Sequence, residues 1–177
     1  MGDCKDCHNY RIVHNDYYTP EYAWNNIKHI IPKNKIVWEA CMLNSEKSKS
    51  PEYLKKLCKE VVYDHKLNML ENTPEKYDII ITNPPFESKL KQSVLKRLVE
   101  LDKPFIIIMN SMNIYAKYIR DIFKDNIEYL QIINPRGHIH FQKLMDNGDL
   151  IYKPNTSFYS IYVCYKMNIS NKDLWLL

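Results

Sequence analysis

Two fully apolar runs restrict this chain more than any other feature: the centre of "YDIIITN" (Tyr77 to Asn83) and the centre of "PFIIIMN" (Pro104 to Asn110). Neither alternates with polar residues, so both faces of each strand must be covered, as in the middle of a parallel sheet. Shorter apolar runs occur at "KIVWEA", "EVVYD" and "IEYLQIIN". Helical spacing fills most of the gaps. "TPEYAWNNIKHII" has a capping Thr19, a first-turn Pro20, and Tyr22, Ala23, Ile27, Ile30 and Ile31 on one stripe. Further helices are expected from about Pro51 to Cys58, Ser88 to Leu101 and Ile114 to Phe123. Strands alternating with helices predict right-handed crossovers and a doubly wound α/β sheet covered on both faces. The final segments, "HIHFQKL" and "FYSIYVCYKM", read as an antiparallel pair joined by the polar loop "MDNGDLIYKPNTS".

With 177 residues, 45% apolar and 26% charged, the chain suits one domain with a real core. We expect a polar arm over 1–16 and a single domain over 17–177. The longest apolar run is far too short to span a bilayer, and the polar, acidic start does not read as a secretory signal. The expected setting is intracellular, cytoplasm or nucleus, that of a virus-infected host included, with no membrane partner. A formal charge of +4 permits nucleic acid without demanding it. Five cysteines, an odd number, do not form a disulfide framework. Cys4, Cys7 and His8 have the separation of a zinc ligand pair, but no second pair follows, and a polar arm is the expected reading over a metal site.

The "IIIT" strand ends in Asn83-Pro84-Pro85-Phe86. Asn-Pro and Pro-Pro are common turn formers. Their position at the carboxyl end of a parallel strand is also where open α/β sheets bind ligands. The prolines fix the backbone, so the Asn83 amide and the Pro84 carbonyl keep set directions beside the flat face of Phe86. That arrangement is a receptor for a planar group carrying an amine.

These residues resemble the reaction motif of S-adenosylmethionine-dependent amino-methyltransferases of the adenine-N6 type, Asp/Asn/Ser-Pro-Pro-aromatic. The family's "TP" element is matched by "YYTPEYAW", its acidic strand end by Glu39 in "VWEA", and its second acidic position by Asp64 in "VVYDH". In this order the elements cover about residues 17–167, and the chain resembles small methylase-like proteins of phages and large DNA viruses. The resemblance implies a Rossmann-like class I methyltransferase fold, mostly parallel with a C-terminal antiparallel hairpin. It further implies transfer of a methyl group to an exocyclic nitrogen in DNA or RNA. Asn83 and Pro84 would accept the amine hydrogens and Phe86 would stack on the base, with Pro85 holding the turn. Tyr18, Thr19 and Pro20 would line the methionine end of S-adenosylmethionine, Glu39 would meet its amino group or surroundings, and Asp64 its ribose hydroxyls. No metal is required.

The family's acidic residue normally runs into a glycine-rich loop, whereas Glu39 is followed by "ACMLNSEKSKS" with no glycine. Met42 and Leu43 are therefore expected to intrude on cofactor space. Two alternatives stay open: a cofactor-deficient subunit that binds nucleic acid or a catalytic partner, as a homo- or hetero-dimer, and a glutamine methyltransferase acting on protein. Arg136, His138, His140 and Lys143 could reach phosphate, although their alternation is first that of a strand with one wet face. Lys89, Lys91, Lys96 and Arg97 read as the solvated side of a helix.

Overall fold

A computed structural model describes residues 17–42, 45–145, 147, 149–152 and 158–170. The arm expected over 1–16, with Cys4, Cys7 and His8, lies outside these residues, as does Leu43. In chain order the elements are β1 (Tyr17–Tyr18), α1 (Glu21–Asn25), β2 (Ile36–Trp38), α2 (Ser50–Lys55), β3 (Glu60–Val62), β4 (Ile79–Thr82), α3 (Ser88–Glu100) and β5 (Phe105–Asn110). A 3-10 turn, Ser111–Tyr115, leads to α4 (Lys117–Phe123), β6 (Leu130–Ile133), β7 (Gln142–Leu144), β8 (Leu150–Tyr152) and β9 (Ser160–Tyr165).

The main sheet has six strands in the order β3-β2-β4-β5-β9-β6. Neighbours from β3 through β5 are parallel, and β9 is antiparallel to both β5 and β6. This is the expected Rossmann-like α/β sheet. The isoleucine runs explain its two layers, because successive side chains on a strand point to opposite faces. Ile79, Ile81, Ile106 and Ile108 pack with Ala23 and Trp24 of α1 and Leu54 of α2. Ile80, Phe105, Ile107 and Met109 pack with Val94, Leu95 and Leu98 of α3 and Ile119 and Phe123 of α4. Each of the isoleucine, leucine, valine, phenylalanine and methionine side chains, buried fully, contributes roughly 1.5–3 kcal/mol.

The C-terminal part departs from expectation in its pairing. The antiparallel hairpin is β7 with β8, and β7 also pairs with β1 to make a separate three-stranded sheet. The strand expected to pair with "HIHFQKL" instead enters the main sheet as β9, in register Ile106↔Cys164 and Ile132↔Val163. The reason is burial. All six residues of β9 are buried, which only a strand flanked on both edges and both faces achieves, whereas β7 and β8 stay half-exposed.

The wet face predicted for α3 holds for Lys89 and Lys96 but not for Lys91, which is 7% exposed. Burial pushes its ammonium below the ordinary lysine range, and Glu87 partly opposes that. Lys91 lies three residues before Val94 and four before Leu95, on the inward face of the helix. Its stem can lie along apolar surface there.

Candidate active site

Glu39, Asn83 and the start of α2 meet outside the carboxyl ends of β2 and β4. Thr82, the last residue of β4, is fully buried, and its hydroxyl donates to Glu39 Oε1. Ser50, the first residue of α2, donates to Glu39 Oε2 at 2.5 Å and accepts from Trp24 Nε1 at 2.8 Å. Cys41 N donates to Thr82 Oγ1 at 3.0 Å. One carboxyl group thus ties the ends of two central strands to two helices. Burial pushes the Glu39 carboxyl up to about 7, while its bonds to Ser50, Thr82 and Cys41 pull the other way. Burial likewise pushes the Cys41 thiol up to about 12.

Asn83 follows Thr82 directly. Its side-chain Oδ1 is buried and accepts no hydrogen bond among the described residues. A buried amide oxygen without a donor is costly, and here it lies on a residue that borders a cavity. Pro84 and Pro85 carry the chain to Phe86, and Glu87 then caps α3 by accepting from Lys89 N at 3.0 Å and Leu90 N at 2.7 Å. The loop is therefore held between a tied strand end and a capped helix start.

These groups border a cavity of about 460 Å³, within the range of small-molecule sites. Tyr18, Thr19, Glu39, Asn83, Pro84, Pro85 and Phe86 all line it. Pro20 and Asp64 do not. Pro20 is buried as the residue before α1. Asp64 is exposed just after β3, where its Oδ1 accepts from Lys66 N at 2.8 Å to close a turn. Met42 lines the cavity and is 2% exposed, yet the space remains open beside it. Among the described residues, positive φ occurs outside glycine only at Asp102, Lys166 and Asn168. The described part of the segment after Glu39 thus needs no glycine for its backbone angles.

Other lining residues were not singled out by the sequence: Tyr17, Ser48, Ser50, Asn68 and Leu70. Ser48 and Ser50 fall in the "LNSEKSKS" stretch that stands where glycines were expected, and Ser50 N donates to Ser48 Oγ at 3.3 Å. Asn68 is held by its own turn, accepting from Leu70 N at 3.1 Å. It lies in the connection between β3 and β4, the second of which ends at the cavity.

Phe86 is set within an aromatic cluster. Its ring centroid lies 5.4 Å from Tyr17, 5.7 Å from Phe141 and 5.5 Å from Phe158. Tyr17 comes from β1, which the small sheet anchors through Tyr17↔Lys143 and Tyr18↔Gln142. Two hydroxyls hold the neighbouring α1 in place: Tyr162 donates to Ala23 O at 2.5 Å, and Tyr22 accepts from His140 N at 2.6 Å. Among the described residues no His, Cys, Asp or Glu cluster is placed to hold a metal, and no helix is long and apolar enough to cross a membrane.

No family model matches the chain. It is similar to the Type II methyltransferase M.EcoRI of Escherichia coli, at 32% identity over 46% of this chain, and it spans 28% of that protein's length. Among solved structures it is similar to SMU.1697c, a candidate methyltransferase from Streptococcus mutans in complex with SAH. The identity is 11%, with 82% of this chain and 96% of that one covered, at a TM-score of 0.46. TehB from Haemophilus influenzae is 12% identical over 83% of this chain and 62% of its own, with a TM-score of 0.44. Backbone likeness this loose says nothing of chemistry.

Proposed function

We propose that the protein is an S-adenosylmethionine-dependent N6-adenine methyltransferase acting on nucleic acid. The observation that carries this reading is Asn83 Oδ1, a buried acceptor without a donor, on a proline-fixed loop that lines a cavity of about 460 Å³. The similarity to a Type II methyltransferase over part of the chain supports the same reaction class.

The residues present fit the cofactor in kind. Tyr18 and Thr19 from the β1 end, Ser48 from the serine-rich segment, and Asn68 with Leu70 give the lining hydroxyl, amide and apolar surface. Glu39 has both carboxyl oxygens engaged by hydroxyls, so its part is to hold the strand ends together. Asp64 stands outside the lining and keeps to its turn with Lys66. S-adenosylmethionine, when bound, supplies a methyl group on a positively charged sulfur.

The chain's own share of the reaction falls to the loop. An exocyclic ring amine is a weak nucleophile because its lone pair is shared with the ring. Asn83 Oδ1 and the Pro84 carbonyl accept its two hydrogens and favour a pyramidal nitrogen, whose lone pair is withdrawn from conjugation with the ring. Positive charge then grows on the nitrogen, and two fixed acceptors stabilise that state more than the planar ground state. Phe86 offers a flat apolar surface to the base, and a duplex substrate would have to release the base from its stack first.

One observation favours a second reading, a cofactor-deficient subunit: Met42 is buried on the cavity wall where a glycine loop was expected. Calorimetric titration with S-adenosylmethionine, followed by mass spectrometry of adenine from treated oligonucleotides, separates the two. Micromolar binding together with N6-methyladenine is the expected result. No heat and no thermal shift at millimolar cofactor would overturn the enzyme reading.

A further inference from the structure

Three planar side chains, Tyr159, His138 and His140, form a row adjacent in sequence to two rings that contact Phe86 of the cavity wall. The ring of Tyr159 lies 3.8 Å from that of His138 at an interplanar angle of 34°, and His138 lies 6.0 Å from His140 at 19°. The row arises from alternation in the extended segment before β7. Ile139 and Phe141 are buried, while His138 and His140 share the opposite, partly exposed side. Tyr159 joins them because the segment before β9 is tied to the end of β5, Ser111 N donating to Tyr159 O at 2.8 Å.

The outward end of the row is open. Tyr159 is 63% exposed, and Met112, one residue past that tie, is 68% exposed. Arg136, two residues before His138, is exposed and makes no ion pair among the described residues. The inward neighbours of the same residues reach the candidate active site. Phe158 precedes Tyr159 and Phe141 follows His140, and both rings contact Phe86.

We infer that Tyr159, backed by the stacked rings of His138 and His140, is a stacking platform for a nucleobase flanking the target base, with Arg136 serving the phosphate backbone. This rests on the proposed reading of the Asn83 cavity and adds to it where the unpaired strand lies. Flat rings in succession with an unpaired cation beside them are what single-stranded nucleic acid recognises, and stacking tolerates any base. A polypeptide partner would use the flat rings less fully and would leave Arg136 without an anion. Specificity beyond the reacting base would then come from strand conformation more than from edge hydrogen bonds.

The test is fluorescence anisotropy of the full chain with a labelled single-stranded oligonucleotide of mixed sequence. Wild type is compared with Tyr159→Ala, Tyr159→Phe and Arg136→Gln, with thermal melts as a folding control. Tyr159→Ala should weaken binding about ten-fold, and Tyr159→Phe should restore most of it. Arg136→Gln should reduce the salt dependence of binding by about one phosphate contact. Equal affinity for Tyr159→Ala and wild type, or no binding by wild type, would overturn the platform. Methylation and cofactor titration in the same samples keep the two ideas apart. Binding that depends on Tyr159 without any methyl transfer would sustain the platform and sink the enzyme reading. Methylation indifferent to Tyr159 would do the reverse.

Discussion

Thr82 donates its hydroxyl to Glu39 across the ends of two parallel strands, one residue before the loop that begins at Asn83. The bond makes the carboxyl of Glu39 a fixed part of the loop's foundation. It also places an ionisable group in a site 2% exposed to solvent.

That carboxyl should make stability depend on pH. Burial raises it to about 7 from an ordinary 4.5. Below the ordinary value it is neutral in both folded and unfolded chains. As pH rises between the two values the unfolded chain ionises while the folded one resists, so stability falls. Above the folded value the deficit is complete, about 3 kcal/mol for a shift of this size. Glu39→Gln removes the titration. Urea unfolding of both proteins at pH 5 and pH 8 should show the variant gaining about 2.5 kcal/mol on wild type over that interval, the rest of the deficit having accrued below pH 5. A gap that stays constant would show that Glu39 ionises normally.

Ser50 is the second link in the same chain of bonds. Ser50→Ala would leave Trp24 Nε1 without its acceptor and Glu39 Oε2 without its donor, both in the core. The expected loss is about 2–3 kcal/mol, since unsatisfied buried groups cost their desolvation. Tryptophan fluorescence of the unfolding transition reads it directly. A loss within experimental error would mean that water or a backbone group replaces the hydroxyl.

Two tyrosines of β9 should answer differently to the same change. Tyr162 donates a hydrogen bond to Ala23 O, whereas the Tyr165 hydroxyl is buried with no partner among the described residues. Tyr162→Phe should therefore destabilise by about 1–2 kcal/mol, and Tyr165→Phe should be neutral or stabilising. The Tyr165 ring must stay, because it stacks on Phe105 at 5.0 Å. Thermal melts of the two variants side by side decide this, and equal losses would refute it.

The strands at Ile79–Thr82 and Phe105–Asn110 were legible because uninterrupted β-branched runs have one comfortable home, a sheet covered on both faces. The Asn-Pro-Pro-Phe turn was legible because two prolines at a strand end cannot continue it. Pairing was not legible. A run such as "SIYVCY" announces a buried strand but carries no label for its neighbours, so its insertion between β5 and β6 could be found only in space. The Ser50–Glu39–Thr82 tie was hidden for the same reason: its members are 11 and 43 residues apart, and serine and threonine are ordinary in any loop. Lys91 was misplaced because periodicity weighs its charge and not the length of its apolar stem.

Asn83 is where the chemistry is tested. Its Oδ1 is the buried acceptor left without a donor, so Asn83→Ala removes the acceptor while leaving the prolines and the Thr82 tie in place. If the side chain stabilises charge growing on an amine, kcat should fall roughly 10²–10³-fold, as when one preorganised polar group is removed from a reacting centre. Cofactor affinity by calorimetry should change little, because the loss falls on the reacting nitrogen and not on the methyl donor. Asn83→Asp keeps an acceptor of the same size and should retain more activity than the alanine variant. The ordering wild type, then Asp, then Ala in kcat, at constant cofactor affinity, is the expected outcome. If wild type and both variants transferred methyl groups equally well, Asn83 would be no more than the end of a strand.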